Sequence, residues 1–217
     1  MNIQIITLFP EMFEGVLNTS MLWKAQDKKL VEYKLINLRD YGLGTRKTVD
    51  DTPYGGGDGM VLRVEPLIAA IEAAQRLKNK GQRSKVILMT PRGKKFDQAK
   101  ARELAKLDNI ILVCGRYEGY DERVVEFVDE EFSVGDYVLT GGELPAMVIV
   151  DAVTRLIPGV LGGETSAEKE SHSELGVIEH PQYTRPEEFR GLKVPDTLLS
   201  GHHGQIEKWR KSQQKSK

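Results

Sequence analysis

The sequence of 217 residues lacks the features that mark several special classes of protein. Its one cysteine, Cys114, excludes an intrachain disulfide framework. The longest apolar runs, at residues 110–114 and 146–150, fall far short of the roughly 20 residues that a membrane-spanning helix needs. Residues 1–10 carry no basic segment of the kind that opens a signal peptide. We therefore predict a soluble, cytoplasmic protein with no membrane partner.

The sequence also has few histidines and a small net charge. The histidines are His172, His180, His202 and His203. They lack the paired Cys or His spacing of a zinc site, so we predict no structural metal. A formal net charge of −1 argues against a protein that coats DNA or RNA by bulk charge, and no DNA partner is expected. Residues 201–217 hold five basic residues against Glu207, a patch that fits RNA contact and a solvated terminus equally well.

What the sequence does contain is an alternation of strand and helix patterns. Apolar and β-branched runs predict strands over residues 2–9, 33–38, 86–90, 110–114 and 131–134. Helical spacing predicts helices over residues 12–17, 66–77, 98–107, 122–128 and 144–156. Strands separated by helices indicate an α/β fold with a parallel sheet.

The last third of the chain has a different composition. Pro158 and Gly159 end the long helix, and residues 161–176 are rich in Gly, Ser and Glu without apolar periodicity. Short helical pieces are predicted over residues 186–189, 194–199 and 205–211. We therefore expect a first domain at 1–160, a linker at 161–176 and a short helical domain at 177–217.

Three of the predicted strands are followed by loops that contain glycine. The loops are Thr-Pro-Arg-Gly (90–93), Gly-Arg-Tyr-Glu-Gly (115–119) and Gly-Asp-Tyr-Val-Leu-Thr-Gly-Gly (135–142). Ligands of open parallel sheets bind at the carboxyl ends of strands. None of the loops has the spacing of a phosphate-binding or dinucleotide-binding glycine motif. The pattern by itself predicts a nucleoside-like ligand, and an alternative in which the glycines serve only as turns stays open.

Five longer strings resemble one family. They are Val-Asp-Asp-Thr-Pro-Tyr-Gly-Gly-Gly-Asp-Gly-Met (49–60), Gly-Arg-Tyr-Glu-Gly (115–119), Gly-Asp-Tyr-Val-Leu-Thr-Gly-Gly-Glu-Leu-Pro-Ala (135–146), Tyr-Thr-Arg-Pro (183–186) and Leu-Ser-Gly-His-His (199–203). In this order they resemble the bacterial tRNA (guanine-N1)-methyltransferases of the SPOUT class. The resemblance implies a deep trefoil knot, S-adenosylmethionine as methyl donor, a Mg²⁺ requirement and an obligate homodimer with active sites between subunits.

The same resemblance assigns roles to residues around the methyl donor. The residues expected to bind S-adenosylmethionine come from the three glycine-bearing loops and the start of the following helix. They are Thr90, Pro91, Gly115, Tyr117, Glu118, Gly119, Val134, Gly135, Asp136, Tyr137, Val138, Leu139, Gly141, Gly142 and Pro145.

The substrate implied is tRNA, methylated at N1 of guanine 37 beside the anticodon, a modification that supports reading-frame maintenance. Because N1 bears a proton, a general base must remove it while a cation stabilises charge on O6. By resemblance these are Glu170, where the family has Asp, and Arg155. Glu168 and Glu174 are rival bases in the same acidic segment.

Contacts with the tRNA are expected in both domains. An extruded target base requires groups that hold its neighbours and the rest of the anticodon arm. By resemblance and residue type, these are Asp51, Gly55, Gly56, Gly57, Gly59, Tyr183, Arg185, His202 and His203.

Two other functions compete with this interpretation. Because Glu170 departs from the family, the chain could be an RNA-binding module that has lost catalysis. A knotted methyltransferase acting on a ribose 2′-hydroxyl is the second alternative, and the strings on the anticodon side argue against it.

Overall fold

The computed structural model describes residues 1–77, 81–162, 170–172 and 176–216. The chain divides into two compact units, Met1–Gly162 and Gly163–Lys217. The strands of the first unit are β1 (Asn2–Thr7), β2 (Glu32–Asn37), β3 (Asp50–Asp51), β4 (Val61–Leu62), β5 (Ser84–Lys95), β6 (Asn109–Cys114) and β7 (Glu130–Ser133). Its α-helices are α1 (Glu14–Leu17), α2 (Ser20–Asp27), α3 (Val64–Arg76), α4 (Gln98–Leu104) and α5 (Glu143–Thr154). Its 3₁₀ segments are Pro10–Phe13, Leu38–Tyr41 and Glu122–Phe127.

Five strands form one sheet in the order β2-β1-β6-β5-β7. All four neighbouring pairs are parallel, which confirms the predicted α/β fold. The register places Ile5 of β1 beside Leu112 of β6, and Leu112 beside Ile87 of β5. The carboxyl ends of β1 and β6 therefore lie along one edge of the sheet, beside Met89 of β5.

The sheet is covered on both faces, as its apolar strands predicted. Ile5, Ile87 and Leu112 point into a core closed by α1, α2, α4 and α5. Their neighbours Leu88 and Ile111 point into a second core closed by α3 and the 3₁₀ segment Glu122–Phe127. Since side chains alternate along a strand, two helical layers are needed to bury both sets.

The structure corrects several details of the first unit. The segment predicted as a helix over residues 122–128 is a 3₁₀ helix, and α2 was not predicted. Leu77, expected on the buried face of α3, caps the helix and is 51% exposed. Within the described stretches, no helix has both the length and the apolar character that crossing a membrane requires.

The second unit contains short elements. Its strands are β8 (Val177–Ile178), β9 (Glu188–Phe189), β10 (Leu192–Lys193) and β11 (Lys215–Ser216), and its helices are α6 (Asp196–Leu199) and α7 (His203–Ser212). The helix predicted over residues 186–189 is wrong, because β9 and β10 form an antiparallel hairpin there. Arg190 and Gly191 both have positive φ, which is the backbone of a tight hairpin turn. No described residue of this unit up to 215 is fully buried.

Candidate functional site

A cavity lies beyond the ends of β6 and β7 and beside residues 89–92 of β5. Its volume of about 380 Å³ falls in the range of roughly 300–1,000 Å³ typical of small-molecule sites. The loops after β6 and β7 form two of its walls, as the parallel sheet predicts. The predicted loop at residues 90–93 is instead an irregular stretch inside β5, whose pairing with β7 shifts register between Met89 and Lys94. All residues predicted to bind the methyl donor line the cavity except Asp136. The Asp136 carboxylate is instead exposed and forms an ion pair with Lys95.

Several lining residues were missed from the sequence. Some lie at strand ends and others lie inside the glycine strings, so adjacency along the chain was the available signal. They are Met89, Arg92, Arg116, Tyr120, Phe132, Ser133 and Thr140. Aromatic and aliphatic groups among them add flat apolar surface to a wall that is otherwise rich in peptide groups.

The cavity depends on a close contact between two of its loops. The Gly142 N–H donates to the Gly115 carbonyl over 2.8 Å, and Arg116 forms an isolated β-bridge with Gly141. A Cβ atom added to Gly142 would lie 2.8 Å from the Cys114 Cα atom. Glycine is therefore required at position 142 by the space between two main chains.

A buried network joins these loops to the end of β1. The Arg116 Nε donates to the Glu143 carboxylate over 2.9 Å, and the Thr7 hydroxyl donates to the other carboxylate oxygen over 2.8 Å. Arg116 also donates to the Thr140 carbonyl and lies 4.6 Å from the centre of the Phe9 ring. Glu143 is 1% exposed, so its charge is stabilised by these partners and by the amino end of α5.

A second face of the cavity is joined to the glycine-rich hairpin β3–β4. The Leu62 N–H donates to the Gly119 carbonyl over 2.9 Å, and the Glu118 N–H donates to the Met60 carbonyl over 3.0 Å. Gly59 packs so closely on Glu118 that a Cβ atom would lie 2.6 Å from its Cγ. The structure thus brings together residues predicted for tRNA and for the methyl donor.

Burial raises the pKa of two side chains near the cavity. Burial raises the pKa of the Cys114 thiol well above its usual range, with a further contribution from the Glu143 carboxylate. A neutral thiol is a weak nucleophile, so Cys114 acts as a small apolar residue. Burial also raises the pKa of Tyr120, whose hydroxyl donates to Glu131 over 3.0 Å.

The two predicted catalytic residues lie in different units. Arg155 follows the last turn of α5, on the helix face that also carries Leu144 and Val148. Glu170 is half-buried in the second unit. The next residue, Ser171, accepts a hydrogen bond from the Glu179 N–H, and the His172 N–H donates to the Val177 carbonyl. The rival bases Glu168 and Glu174 lie outside the described residues.

Tyr183, one of the tRNA candidates of the second unit, belongs to an aromatic group. Tyr183 and His180 pack on Trp209, with ring centres 6.2 Å and 6.1 Å apart. Arg185, His202 and His203 are exposed. The aromatic packing holds the Tyr183 segment against α7, which carries three of the five basic residues noted in the sequence.

Metal-binding side chains do not gather anywhere in the described part of the chain. Across residues 1–77, 81–162, 170–172 and 176–216, no group of three or more His, Cys, Asp or Glu side chains could hold an ion.

Comparison with known proteins identifies the family. The family described as tRNA (Guanine-1)-methyltransferase TrmD matches residues 1–217. A tRNA (guanine-N(1)-)-methyltransferase of Halalkalibacterium halodurans is 56% identical over 214 residues, which are 98% of this chain and 86% of that protein. Its counterpart in Geobacter sulfurreducens is 56% identical, covering 97% of this chain and 85% of that protein. Another in Dictyoglomus turgidum is 54% identical, covering 98% and 84%. The chain thus belongs to the tRNA (guanine-N1)-methyltransferase family.

Proposed function

We propose that this chain transfers a methyl group from S-adenosylmethionine to N1 of guanine 37 in tRNA, in the cytoplasm, and so supports reading-frame maintenance. The observation that carries the proposal is the cavity at the carboxyl ends of β6 and β7, beside residues 89–92 of β5. It is built from the strings that resemble the family, in a chain that matches the family along its whole length.

The cavity has the chemistry that an adenosine needs. Peptide groups of the Gly115–Gly119 and Val134–Gly142 loops can pair with the polar edge of a purine, and Val138, Leu139 and Pro145 can pack on its faces. S-adenosylmethionine supplies an electrophilic methyl group when it is bound. The chain's own part is to fix the position of that group and to exclude water from it.

Catalysis then requires the proton of guanine N1 to be removed. We assign this to the Glu170 carboxylate, and the stabilisation of charge on O6 to the Arg155 guanidinium. Glutamate has one methylene more than the family's aspartate. Since a displacement of about 1 Å can cost on the order of 100-fold in rate, the segment must place this longer side chain accurately.

A homodimer is supported by an exposed apolar face. Leu144 and Val148 lie one turn apart on α5, and each is 50% exposed. Trp23 on α2, which packs beside α5, is 48% exposed. We propose that a second copy of this chain covers the face. Because Arg155 continues the same helix stripe, this dimer would bring the arginine to the subunit boundary.

A trefoil knot is supported by the path of the chain through the sheet. After β7, the chain meets Gly115 at the end of β6, where the Gly142 N–H donates to the Gly115 carbonyl, and then enters α5, which packs against β1 and β6. The Gly115–Gly119 loop, meanwhile, is bonded to the β3–β4 hairpin. We propose that the segment after β7 threads behind this loop, with a methyltransferase domain at 1–160, a linker at 161–176 and a helical tRNA-binding domain at 177–217.

Methyl transfer to an unmodified leucine tRNA transcript tests the proposal. Purified protein is incubated with methyl-labelled S-adenosylmethionine, and the tRNA is digested to nucleosides. We expect the label in N1-methylguanosine at position 37. Label in a 2′-O-methylnucleoside would favour the ribose-modifying alternative. Binding of tRNA without methyl transfer would favour an RNA-binding module that has lost catalysis.

A magnesium requirement is a separate part of the proposal. It is supported by the family alone, and Mg²⁺ commonly binds through one or two carboxylates together with water or substrate groups. We expect excess chelator to abolish methyl transfer and added MgCl₂ to restore it. Full transfer in chelator would remove magnesium from the proposal without affecting the rest.

A further inference from the structure

Tyr54 presents an uncovered aromatic ring. Its exposed fraction is 102%, the highest among the large hydrophobic side chains of the described residues. A ring in this position buries no apolar area within the first unit, so it contributes nothing to the cores described above. Its surroundings therefore decide whether it has a role in binding.

The backbone around Tyr54 holds the ring outward. Asp50 pairs with Leu62 and Asp51 pairs with Val61, so the residues between them form the end of a short hairpin. Gly55, Gly56 and Gly57 follow with φ of 88°, 80° and 128°. These left-handed conformations favour glycine, and for Gly55 and Gly56 the space around an added Cβ is empty. The glycines therefore shape the turn beside the tyrosine instead of relieving a packing conflict.

This hairpin is bonded to the wall of the cavity. The Leu62 N–H donates to Gly119 and the Glu118 N–H donates to Met60, so the strand after Tyr54 and the cavity loop form one hydrogen-bonded assembly. Gly59 packs on the Glu118 side chain, which lines the cavity. The ring is thus carried by the element that borders the mouth of the site.

The charges near the ring disfavour a phosphate as its partner. Arg63 binds Asp51 over 2.7 Å and Glu65 over 3.2 Å, while Arg123 binds Asp121 over 2.7 Å. The pKa of Arg63 is raised chiefly by its bond to Glu65, and the pKa of Arg123 by its bond to Asp121; Tyr54 adds a smaller electrostatic contribution to both. With both guanidinium groups already bonded to carboxylates, a neutral flat group suits the ring better than an anion.

We propose that Tyr54 is a stacking platform for the base of a nucleotide directly adjacent to the target guanine in the tRNA. An extruded guanine leaves its neighbours unstacked on the side of the gap, and an aromatic ring on the hairpin bonded to the cavity wall replaces the lost stacking. The inference deepens the proposed function and rests on it. It assigns Tyr54 to substrate positioning, with no part in binding the methyl donor.

The test compares Tyr54→Ala with Tyr54→Phe, which keeps the ring and removes only the hydroxyl. Two tRNA transcripts carry the fluorescent base 2-aminopurine on the 5′ or on the 3′ side of the target. We expect the wild type and Tyr54→Phe to quench one of the two, and Tyr54→Ala to quench neither. The KM for unmodified tRNA should rise about 10- to 100-fold in Tyr54→Ala alone. The dissociation constant for S-adenosylmethionine, measured by calorimetry, should stay at the wild-type value.

Wild-type quenching and a wild-type KM in Tyr54→Ala would overturn the stacking role. A change in sedimentation of Tyr54→Ala with unaltered quenching would also overturn it, because the ring would then contact a second protein chain. Failure of the proposed function is a different result, in which the wild-type protein binds the tRNA transcripts and transfers no methyl group to any of them.

Discussion

Arg116 and Glu143 form an ion pair at the wall of the cavity, with the guanidinium Nε 2.9 Å from a carboxylate that is 1% exposed. Arg116 belongs to the Gly115–Gly119 loop, and Glu143 is the first residue of α5, directly after the other glycine-rich loop. The Thr7 hydroxyl, at the end of β1, donates to the same Glu143 carboxylate. The pair therefore fastens the end of β1 to both loops.

Glu143→Gln should destabilise the protein, because the amide leaves the Arg116 charge without a counter-ion. We expect a loss of about 2–3 kcal/mol in the free energy of unfolding measured with urea. Asp40→Asn is the matched control, since its pair with Lys47 is exposed on both sides and should contribute less than about 1 kcal/mol. Equal effects of the two substitutions would contradict the role given to the buried pair.

Gly142→Ala should disturb the crossing of the two loops. The added methyl group would meet main-chain atoms of Cys114 and Gly115, which cannot rotate away. We expect a loss of about 1–3 kcal/mol in unfolding free energy and weaker binding of S-adenosylmethionine by calorimetry. Gly15→Ala is the control, because no atom lies within 4 Å of the added carbon, and its stability should match the wild type or exceed it. A stable Gly142→Ala variant with unchanged binding would exclude the crossing as a constraint.

A charge cluster of Lys85, Lys100, Glu103 and Glu130 should make stability depend on acid pH. Hydrogen bonds from Lys100 and then Lys85 lower the pKa of Glu103 from 4.5 to about 2. Because the folded pKa is lower than the unfolded one, this contribution is complete above pH 4.5 and is lost as the pH falls towards 2. Urea unfolding at several pH values should show the difference between wild type and Glu103→Gln shrinking across that window. A difference that stays constant from pH 6 to pH 3 would be inconsistent with the lowered pKa.

Glu170→Gln should reduce turnover on tRNA by about 100- to 10,000-fold, the usual contribution of a general base. Binding of S-adenosylmethionine should be nearly unchanged, since the substitution is isosteric and lies outside the three loops. Glu168→Gln and Glu174→Gln are the controls, and Glu170→Asp, which keeps a carboxylate, should retain activity. Normal turnover in Glu170→Gln would transfer the role to whichever control variant loses it.

Arg155→Ala should cause a comparable loss of turnover, because no cation would stabilise charge developing on O6 of the guanine. Single-turnover rates with saturating tRNA separate this effect from substrate binding. Sedimentation should show the same oligomeric state as the wild type. A wild-type single-turnover rate would rule out the charge-stabilising role of Arg155.

The sequence predicted the sheet well because its strands are apolar runs. Residues 86–89 and 110–113 are buried on both faces, and such strands have a pattern that is visible without tertiary information. The cavity was predicted from the glycine strings after the predicted strands, but residues 90–93, predicted as a loop, lie inside β5, because they form an irregular stretch in its pairing with β7. Short elements were not predictable: β3 and β4 are two residues long and depend on each other for pairing.

The Arg116–Glu143 pair shows a second limit. Charged residues are mostly exposed, so the sequence alone does not indicate that the Glu143 side chain is buried. Only the approach of two loops that are distant along the chain buries Glu143 and gives it two donors. The misassigned helix over residues 186–189 has a related cause, because its hairpin depends on the turn at Arg190 and Gly191.

The contact of Gly142 with Cys114 and Gly115 has an evolutionary consequence. At this point the wall of the cavity consists of peptide groups, which all amino acids share, and side chains have no room to enter. A substitution of Gly142 can therefore change the shape of this wall only by separating the two loops that form it. A compound that recognised these peptide groups would leave the organism few mutational routes to resistance.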